Sequence, residues 1–324
     1  MGAVAGFGAL NLDLIFDIDD FSMVSVGGAT PEPGKEVFGS SEDFESLLRQ
    51  LNQKGRLRSR SGGGSAANTL VALARMGFSA KIIGKVGKDE EADFLLESLG
   101  PVETNLIRRN GRSGVCIVVL DRHQDRFLFI QPNANDTLTM EDIDFNALED
   151  LSWIHLTSFS GESPLEAQKR LLCHLAPSVR VSLDPGEIYA RRGIESIRPL
   201  LERSSIVFIT EREVQMMTGQ DITLGMRLLL ASGPAVVGCK MGSRGSYVFT
   251  EHEDFEVPSI PAAVVDNTGA GDVYNAGFIA GLLLGRSVGE SAVFATRIAS
   301  KSITGYGREK YPTKEDLKGW IDGF

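Results

Sequence analysis

From Trp153 onward, short apolar β-type runs alternate regularly with helical stretches, and this alternation restricts the fold more than any other feature of the chain. Strands are expected at 153–156, 179–183, 206–209, 235–239 and 246–249, with helices between them and a further helix over 271–284. Parallel neighbours in a sheet need a crossover, and the crossover helices must cover both faces. The expected fold class is therefore α/β, with a doubly wound, largely parallel sheet and helices on both faces.

The amino-terminal half reads differently. Residues 3–16 form a first strand interrupted by Gly6 and Gly8. The pair imitates a dinucleotide-binding turn, but Asn11 stands near where the third glycine of GxGxxG should fall. A helix is expected over 43–53. Arg56, Arg58 and Arg60 alternate with Leu57, Ser59 and Ser61, as in a short strand. A helix over 66–76 closes at Gly77 and leads to a strand at 81–86. Runs at 114–120 and 126–130 form a hairpin around 121–125. These short β-segments are an excursion from the main sheet. No repeat, low-complexity tract or linker divides the chain, so residues 1–324 are expected to form one domain.

Chemistry concentrates in Asp266-Asn267-Thr268-Gly269-Ala270-Gly271-Asp272, which runs directly into an apolar helical stretch. Gly269, Ala270 and Gly271 can present consecutive backbone N–H groups, almost without side-chain bulk, at the positive end of a helix. That is a cradle for an anion. A carboxylate inside such a cradle makes sense if Asp272 removes a proton from a hydroxyl about to attack a phosphoryl group. No GxxxxGK[ST] sequence is present, so the other common phosphate cradle is excluded.

Composition removes several further classes. The chain has 324 residues, 42% hydrophobic and 23% charged, enough for a substantial buried core. A formal net charge of −10 gives no global field that would recruit nucleic acid or an anionic membrane. No apolar run approaches the ~18–20 residues of a spanning helix, and the first residues, from Met1, lack a basic region. Cys116, Cys173 and Cys239 are odd in number and never CxxC, which is compatible with a reducing cytoplasm. The four histidines show no metal-ligand spacing and no triad pattern.

The motif from Asp266 to Asp272, followed by Val273-Tyr274-Asn275-Ala276-Gly277-Phe278, resembles the carboxyl-terminal signature of the PfkB (ribokinase-like) carbohydrate and nucleoside kinases, with Asn267 where Thr or Ser is usual. Gly62-Gly63-Gly64-Ser65-Ala66-Ala67-Asn68 resembles the family's second signature. Shorter matches follow in the family's order: Asn11-Leu12-Asp13, residues 84–89, Asp184-Pro185-Gly186, Glu211-Arg212-Glu213 and residues 240–245. The resemblance covers essentially the whole chain. It implies a ribokinase-like sheet carrying a small β-strand lid, inserted at about 14–61 and 112–131, over the sugar site.

Phosphoryl transfer needs a cradle, charge neutralisation, a base and a positioned acceptor. Asp13 and Asn68 are the acceptor candidates: a carboxylate accepts from vicinal hydroxyls, and an amide both donates and accepts. Gly63 and Gly64 would let backbone approach the sugar. In the resembled family the positions matching Asn11, Asp13 and Asn68 hold sugar or ribose. The resemblance implies that Glu213 is tied to Mg2+, with Thr210 standing where the family carries Asn. It also implies that Lys240, Gly242 and Gly245 lie along the nucleotide, and that Thr296 and Gly307 shape its adenine pocket. Asp266 and Thr268 are offered to a monovalent cation such as K+, and a homodimer sharing lid strands is the implied assembly.

The resulting reading is a cytoplasmic, ATP- and Mg2+-dependent kinase that moves the γ-phosphoryl group to a hydroxyl of a sugar, with a primary alcohol favoured. A ribonucleoside kinase is the alternative. An NAD-dependent oxidoreductase would need the glycine missing at position 11, and a non-catalytic sugar-binding protein would have no use for Asp272.

Overall fold

The computed structural model describes residues 2–123 and 125–323. Met1, Phe324 and Gln124, the last within the expected hairpin turn, lie outside the described residues. The first strand, β1 (Ala3–Phe7), is buried at every position, as a central strand between two helical layers must be. The expected continuous strand over 3–16 is in fact two. After Leu10 the chain resumes as β2 (Asn11–Asp17), which is buried only at Leu12 and Phe16, on one face, and belongs to another sheet. The change from burial on both faces to burial on one face marks the break. Because a strand and not a helix follows β1, no dinucleotide-type turn exists there.

Next come β3 (Glu36–Phe38), α1 (Ser41–Lys54) and β4 (Arg56–Gly63). A reciprocal capping box between Ser40 and Asp43 starts α1 two residues before the expected position. Then follow α2 (Ser65–Arg75), β5 (Ala80–Val86), α3 (Glu90–Ser98), β6 (Ile107–Arg109), β7 (Gly114–Leu120) and β8 (Arg126–Gln131).

The alternating half contains β9 (Leu151–Thr157), α4 (Glu162–His174), β10 (Arg180–Asp184), α5 (Gly186–Arg203), β11 (Ile206–Thr210), α6 (Glu211–Thr218), α7 (Ile222–Ala231) and β12 (Val236–Lys240). It continues with β13 (Ser246–Thr250), β14 (Asp254–Val257), α8 (Ala270–Leu283), α9 (Val288–Ser302) and α10 (Lys314–Ile321).

Nine strands form one sheet in the order β14-β13-β12-β11-β10-β9-β1-β5-β6, parallel from β12 through β6 and antiparallel at β13 and β14. One apolar layer packs α2, α3, α8 and α9 on the first face of this sheet, and a second packs α4 to α7 on the other. A five-stranded sheet, β3-β8-β7-β2-β4, rests on its own small core of Phe16, Ile117, Phe127, Phe129 and the α1 residues Phe44, Leu47 and Leu51. Among the described residues no helix is long and apolar enough to cross a membrane.

The topology positions the site. From β1 the chain proceeds to β5 and β6 on one side, then returns to place β9 on the other. Such a reversal leaves a crevice beyond the carboxyl ends of the strands. Asp184, Thr210 and Lys240 are the last residues of β10, β11 and β12 and share that edge.

Candidate active site

The amino terminus of α8 opens on this edge. Gly269 is its N-cap, with φ 76°, and among the described residues no side chain caps the helix. A β-carbon there would sit 2.4 Å from the Tyr311 hydroxyl, so both conformation and space require glycine. Ala270 donates its N–H to the Asn267 carbonyl at 3.2 Å. Among the described residues the N–H groups of Gly269, Gly271 and Asp272 meet no acceptor, so of the expected row of Gly269, Ala270 and Gly271 only Ala270 is engaged, and the Asp272 N–H joins the helix end beside it.

The Asp272 carboxylate accepts from Asn68 Nδ2 at 2.8 Å through Oδ2. Burial pushes its pKa up to about 7; the Asn68 hydrogen bond opposes the shift, Asp184 adds to it, and Lys240 and Arg308 oppose it. A carboxyl with a pKa near neutrality suits a general base.

Opposite stands Asp13, on the face of β2 that points away from the small lid core. Burial raises its pKa to about 7 as well, with Arg308 opposing and Asp272 reinforcing the shift. Among the described residues its carboxylate has no hydrogen-bond partner. Gly63 and Gly64 are required by the protein's own packing. A β-carbon on Gly63 would lie 2.2 Å from Asp13 Oδ2, and one on Gly64 2.1 Å from the Ala9 carbonyl oxygen. The close approaches they permit are thus to the protein's own carboxylate and backbone. Asn11 Oδ1 accepts from Asn135 Nδ2 at 2.9 Å, and the buried Asn135 also bonds both backbone groups of Leu10. That clamp holds the corner between the two sheets.

Asn68, on α2, is less available than the sequence indicates. Its Oδ1 accepts from both Arg308 Nε, at 3.1 Å, and Arg308 Nη2, at 2.9 Å. With one N–H on Asp272, the amide retains one donor and no free acceptor lone pair for a ligand.

At the carboxyl edge of the sheet, Lys240 Nζ lies 2.5 Å from Asp184 Oδ2, which also accepts from Asn275 Nδ2 at 2.7 Å. Burial works against ionisation of Asp184, but Lys240 and Asn275 outweigh it and hold the carboxyl below its usual range. Lys240 Nζ is 3.4 Å from where a β-carbon on Gly271 would be, so the ammonium borders the open end of α8.

Thr210 and Glu213 form a capping box at the start of α6: Thr210 N donates to Glu213 Oε2 at 2.8 Å, and Glu213 N to Thr210 Oγ1 at 3.3 Å. This accounts for threonine at position 210, since a short hydroxyl caps this helix directly. Burial, then repulsion from Asp184, raises the Glu213 pKa. Among the described residues no three His, Cys, Asp or Glu side chains form a metal cluster. The donor set fits Mg2+ carried chiefly by phosphate and water, with the uncommitted Glu213 oxygen as a contributor.

The remaining expected residues divide. Gly242 and Gly245 make the turn between β12 and β13, and a β-carbon on Gly245 would meet the Val257 carbonyl oxygen at 2.0 Å. Gly307 donates its N–H to Asp266 Oδ2 at 3.0 Å, while Asp266 Oδ1 accepts from Thr268 N at 2.9 Å. Thr296 is buried within α9, and its hydroxyl has no hydrogen-bond partner among the described residues. Sequence reasoning passed over Arg308 and Tyr311, and left Asp184 and Asn275 inside quoted motifs without a role. Asp184 could have been found as the last residue of an apolar strand before Pro-Gly; Arg308 leaves no such signal.

The profile of the pfkB family carbohydrate kinases matches residues 37–314. The chain belongs to that family. As a pfkB family carbohydrate kinase it is a phosphotransferase with an alcohol group as acceptor. An uncharacterized sugar kinase of Archaeoglobus fulgidus is 34% identical over 258 residues, covering 78% of this chain and 100% of that protein. An adenosine kinase from Sinorhizobium meliloti shares the fold with TM-score 0.84 at 20% identity, over 100% of this chain and 99% of that one. An Arabidopsis thaliana ribokinase complexed with ribose and ATP gives TM-score 0.75 at 23% identity, over 99% and 98%. These structural likenesses establish the ribokinase-like fold of this pfkB kinase.

Proposed function

We propose that the protein transfers the γ-phosphoryl group of ATP, with Mg2+, to a primary hydroxyl of a sugar held between Asp13 and Asp272. One observation carries the reading: a carboxyl with a pKa near 7 stands at an uncapped helix amino terminus, facing a second carboxylate that has no hydrogen-bond partner among the described residues. The Gly271 and Asp272 N–H groups and Lys240 would receive the transferred phosphoryl group. Asp272 would take the hydroxyl proton, and Asp13, with the remaining Asn68 donor, would orient the sugar. Mg2+ would neutralise phosphate charge, assisted by Glu213. Thr210, Lys240, Gly242 and Gly245 border the phosphate end. Thr296 and Gly307 are assigned to the purine end, and Asp266 and Thr268 to a K+ ion.

A second reading, a ribonucleoside as acceptor, is favoured by the lid. Ile15, Val118 and Leu128 share the Asp13 face of the five-stranded sheet and are only half-buried. Such a surface can lie against a base. It can equally be covered by the lid of a second copy in a homodimer, for which light scattering in solution should report twice the chain mass; a monomer at all concentrations would remove that assembly. The lid segments, about 14–61 and 112–131, would work as parts of one kinase domain. Three free cysteines support a cytoplasmic setting.

The deciding experiment incubates the protein with ATP, Mg2+ and a panel containing D-ribose, D-fructose, other hexoses and adenosine, in K+ and in choline salts. Gain of one phosphate by one acceptor class is the expected result, faster in K+. No phosphorylated product from any acceptor, with ATP still raising the melting temperature, would leave the proposed acceptor class without support.

A further inference from the structure

Arg308 follows Gly307 in the loop between α9 and α10, and the reading of Asp272 as base does not by itself give it a task. Its guanidinium is held at three points: Nε and Nη2 on Asn68 Oδ1, and Nη1 on the Ser98 carbonyl at 2.7 Å. Its backbone is held as well. Arg75 Nη1 donates to the Arg308 carbonyl at 2.5 Å, and the preceding Gly307 N–H is fixed by Asp266. A planar fork anchored in this way has little freedom. Arg308 forms no ion pair among the described residues, so its charge is not cancelled by a contacting carboxylate.

We propose that Arg308 is a positioning residue for phosphoryl transfer, acting through Asn68 to set the aim of the Asp272 carboxylate. The inference rests on the reading of Asp272 as the base.

The reason is the directionality of an amide. Asn68 has donors only on one side, from Arg308, and a carboxylate on the other. Only one orientation satisfies both: oxygen toward the guanidinium, nitrogen toward Asp272. The reverse would set N–H against N–H and oxygen against oxygen. Arg308 therefore obliges Asn68 to donate to Asp272 Oδ2. Oδ1, which has no protein partner among the described residues, is left to face the incoming hydroxyl.

The other charged groups around Asp272 cannot do this. Lys240 and Asp184 approach from the sheet edge but are committed to each other. Asp13 faces Asp272 from the lid and repels it. The Tyr311 hydroxyl is kept protonated, chiefly by burial, and adds no charge.

The test compares Arg308→Met, Arg308→Lys and Asn68→Leu with the unaltered protein, using whichever of D-ribose, D-fructose or adenosine is phosphorylated. Arg308→Met should lower kcat about 10- to 100-fold, the scale of a misplaced reacting group. It should also move the acid limb of the kcat/KM profile up by about one pH unit, as the Asn68 hydrogen bond that favours the ionised form of Asp272 is loosened. The ATP KM should change by less than about twofold. Arg308→Lys should recover only part of the loss, because an ammonium cannot grip the amide oxygen as a fork does. Asn68→Leu should reproduce the shift from the middle of the relay, and the Arg308→Met/Asn68→Leu double variant should add nothing further. If Arg308→Met does not fold, Asn68→Leu carries the same test.

An unmoved acid limb, with only the acceptor KM raised, would overturn the inference and make Arg308 a structural or acceptor-binding residue. Full turnover by Asp272→Asn would instead remove the base reading itself. The two failures are thus separable.

Discussion

Asp272→Asn is expected to lower the transfer rate by about 100- to 10,000-fold, the usual contribution of a positioned general base. ATP binding should persist or tighten, because an amide replaces a carboxylate beside the phosphate cradle. In the unaltered protein kcat/KM should climb through pH 7, since the base acts only when ionised and its pKa is raised to about 7. The Asn variant should lose that climb along with the rate. A steady-state pH series with single-turnover controls measures both. Retention of the full rate would show that the proton leaves by another route.

The same shift has a consequence for stability. Asp13 and Asp272 have folded-state pKa values raised from 3.8 to about 7. Their protonated forms favour the folded protein, so this contribution is complete below pH 3.8 and disappears as pH rises through 7. Asp272→Asn should therefore melt higher than the unaltered protein at pH 8, with the difference shrinking toward pH 5. A stability gain at pH 8 combined with lost turnover would mark a site strained for function.

Lys240→Met should be the most destabilising change at the site. Lys240 and Asp184 are both largely buried, their side chains 14% and 9% exposed, and removal of the ammonium leaves the carboxylate with two neutral donors, Asn275 Nδ2 and the Gly186 N–H. Breaking one partner out of a buried pair costs about 3–5 kcal/mol. The Asp184→Asn/Lys240→Met double variant, which removes both charges, should recover much of the loss, and a double-mutant cycle from urea melts gives the coupling directly. Kinase activity should not return with stability, because Lys240 also borders the cradle at Gly271. Melting of Lys240→Met at an unchanged temperature would contradict the buried pairing.

Much of this site was legible before any coordinates. The strand–helix alternation after Trp153 and the Gly-Ala-Gly entry to α8 are local patterns, each enforced by residues within a turn or two of one another. Asp272 could be singled out because its neighbours in sequence are also its neighbours in space. The same holds for Glu213, although its capping of Thr210 was not foreseen. The split of the first strand was missed because three residues, Gly8 to Leu10, carry the chain from one sheet to the other, and only pairing partners reveal it.

From the chain of residues alone come the sheet type, the helix amino terminus and the carboxylates proposed for the chemistry, because periodicity and backbone freedom are encoded locally. Tertiary packing alone decided that Asp13 and Asp272 face each other, that Asn68 surrenders its acceptor to Arg308 across 240 positions, and that Lys240 pairs with Asp184. Those outcomes depend on burial and distance between remote segments. No local pattern records them; the folded solvent-poor cleft creates them.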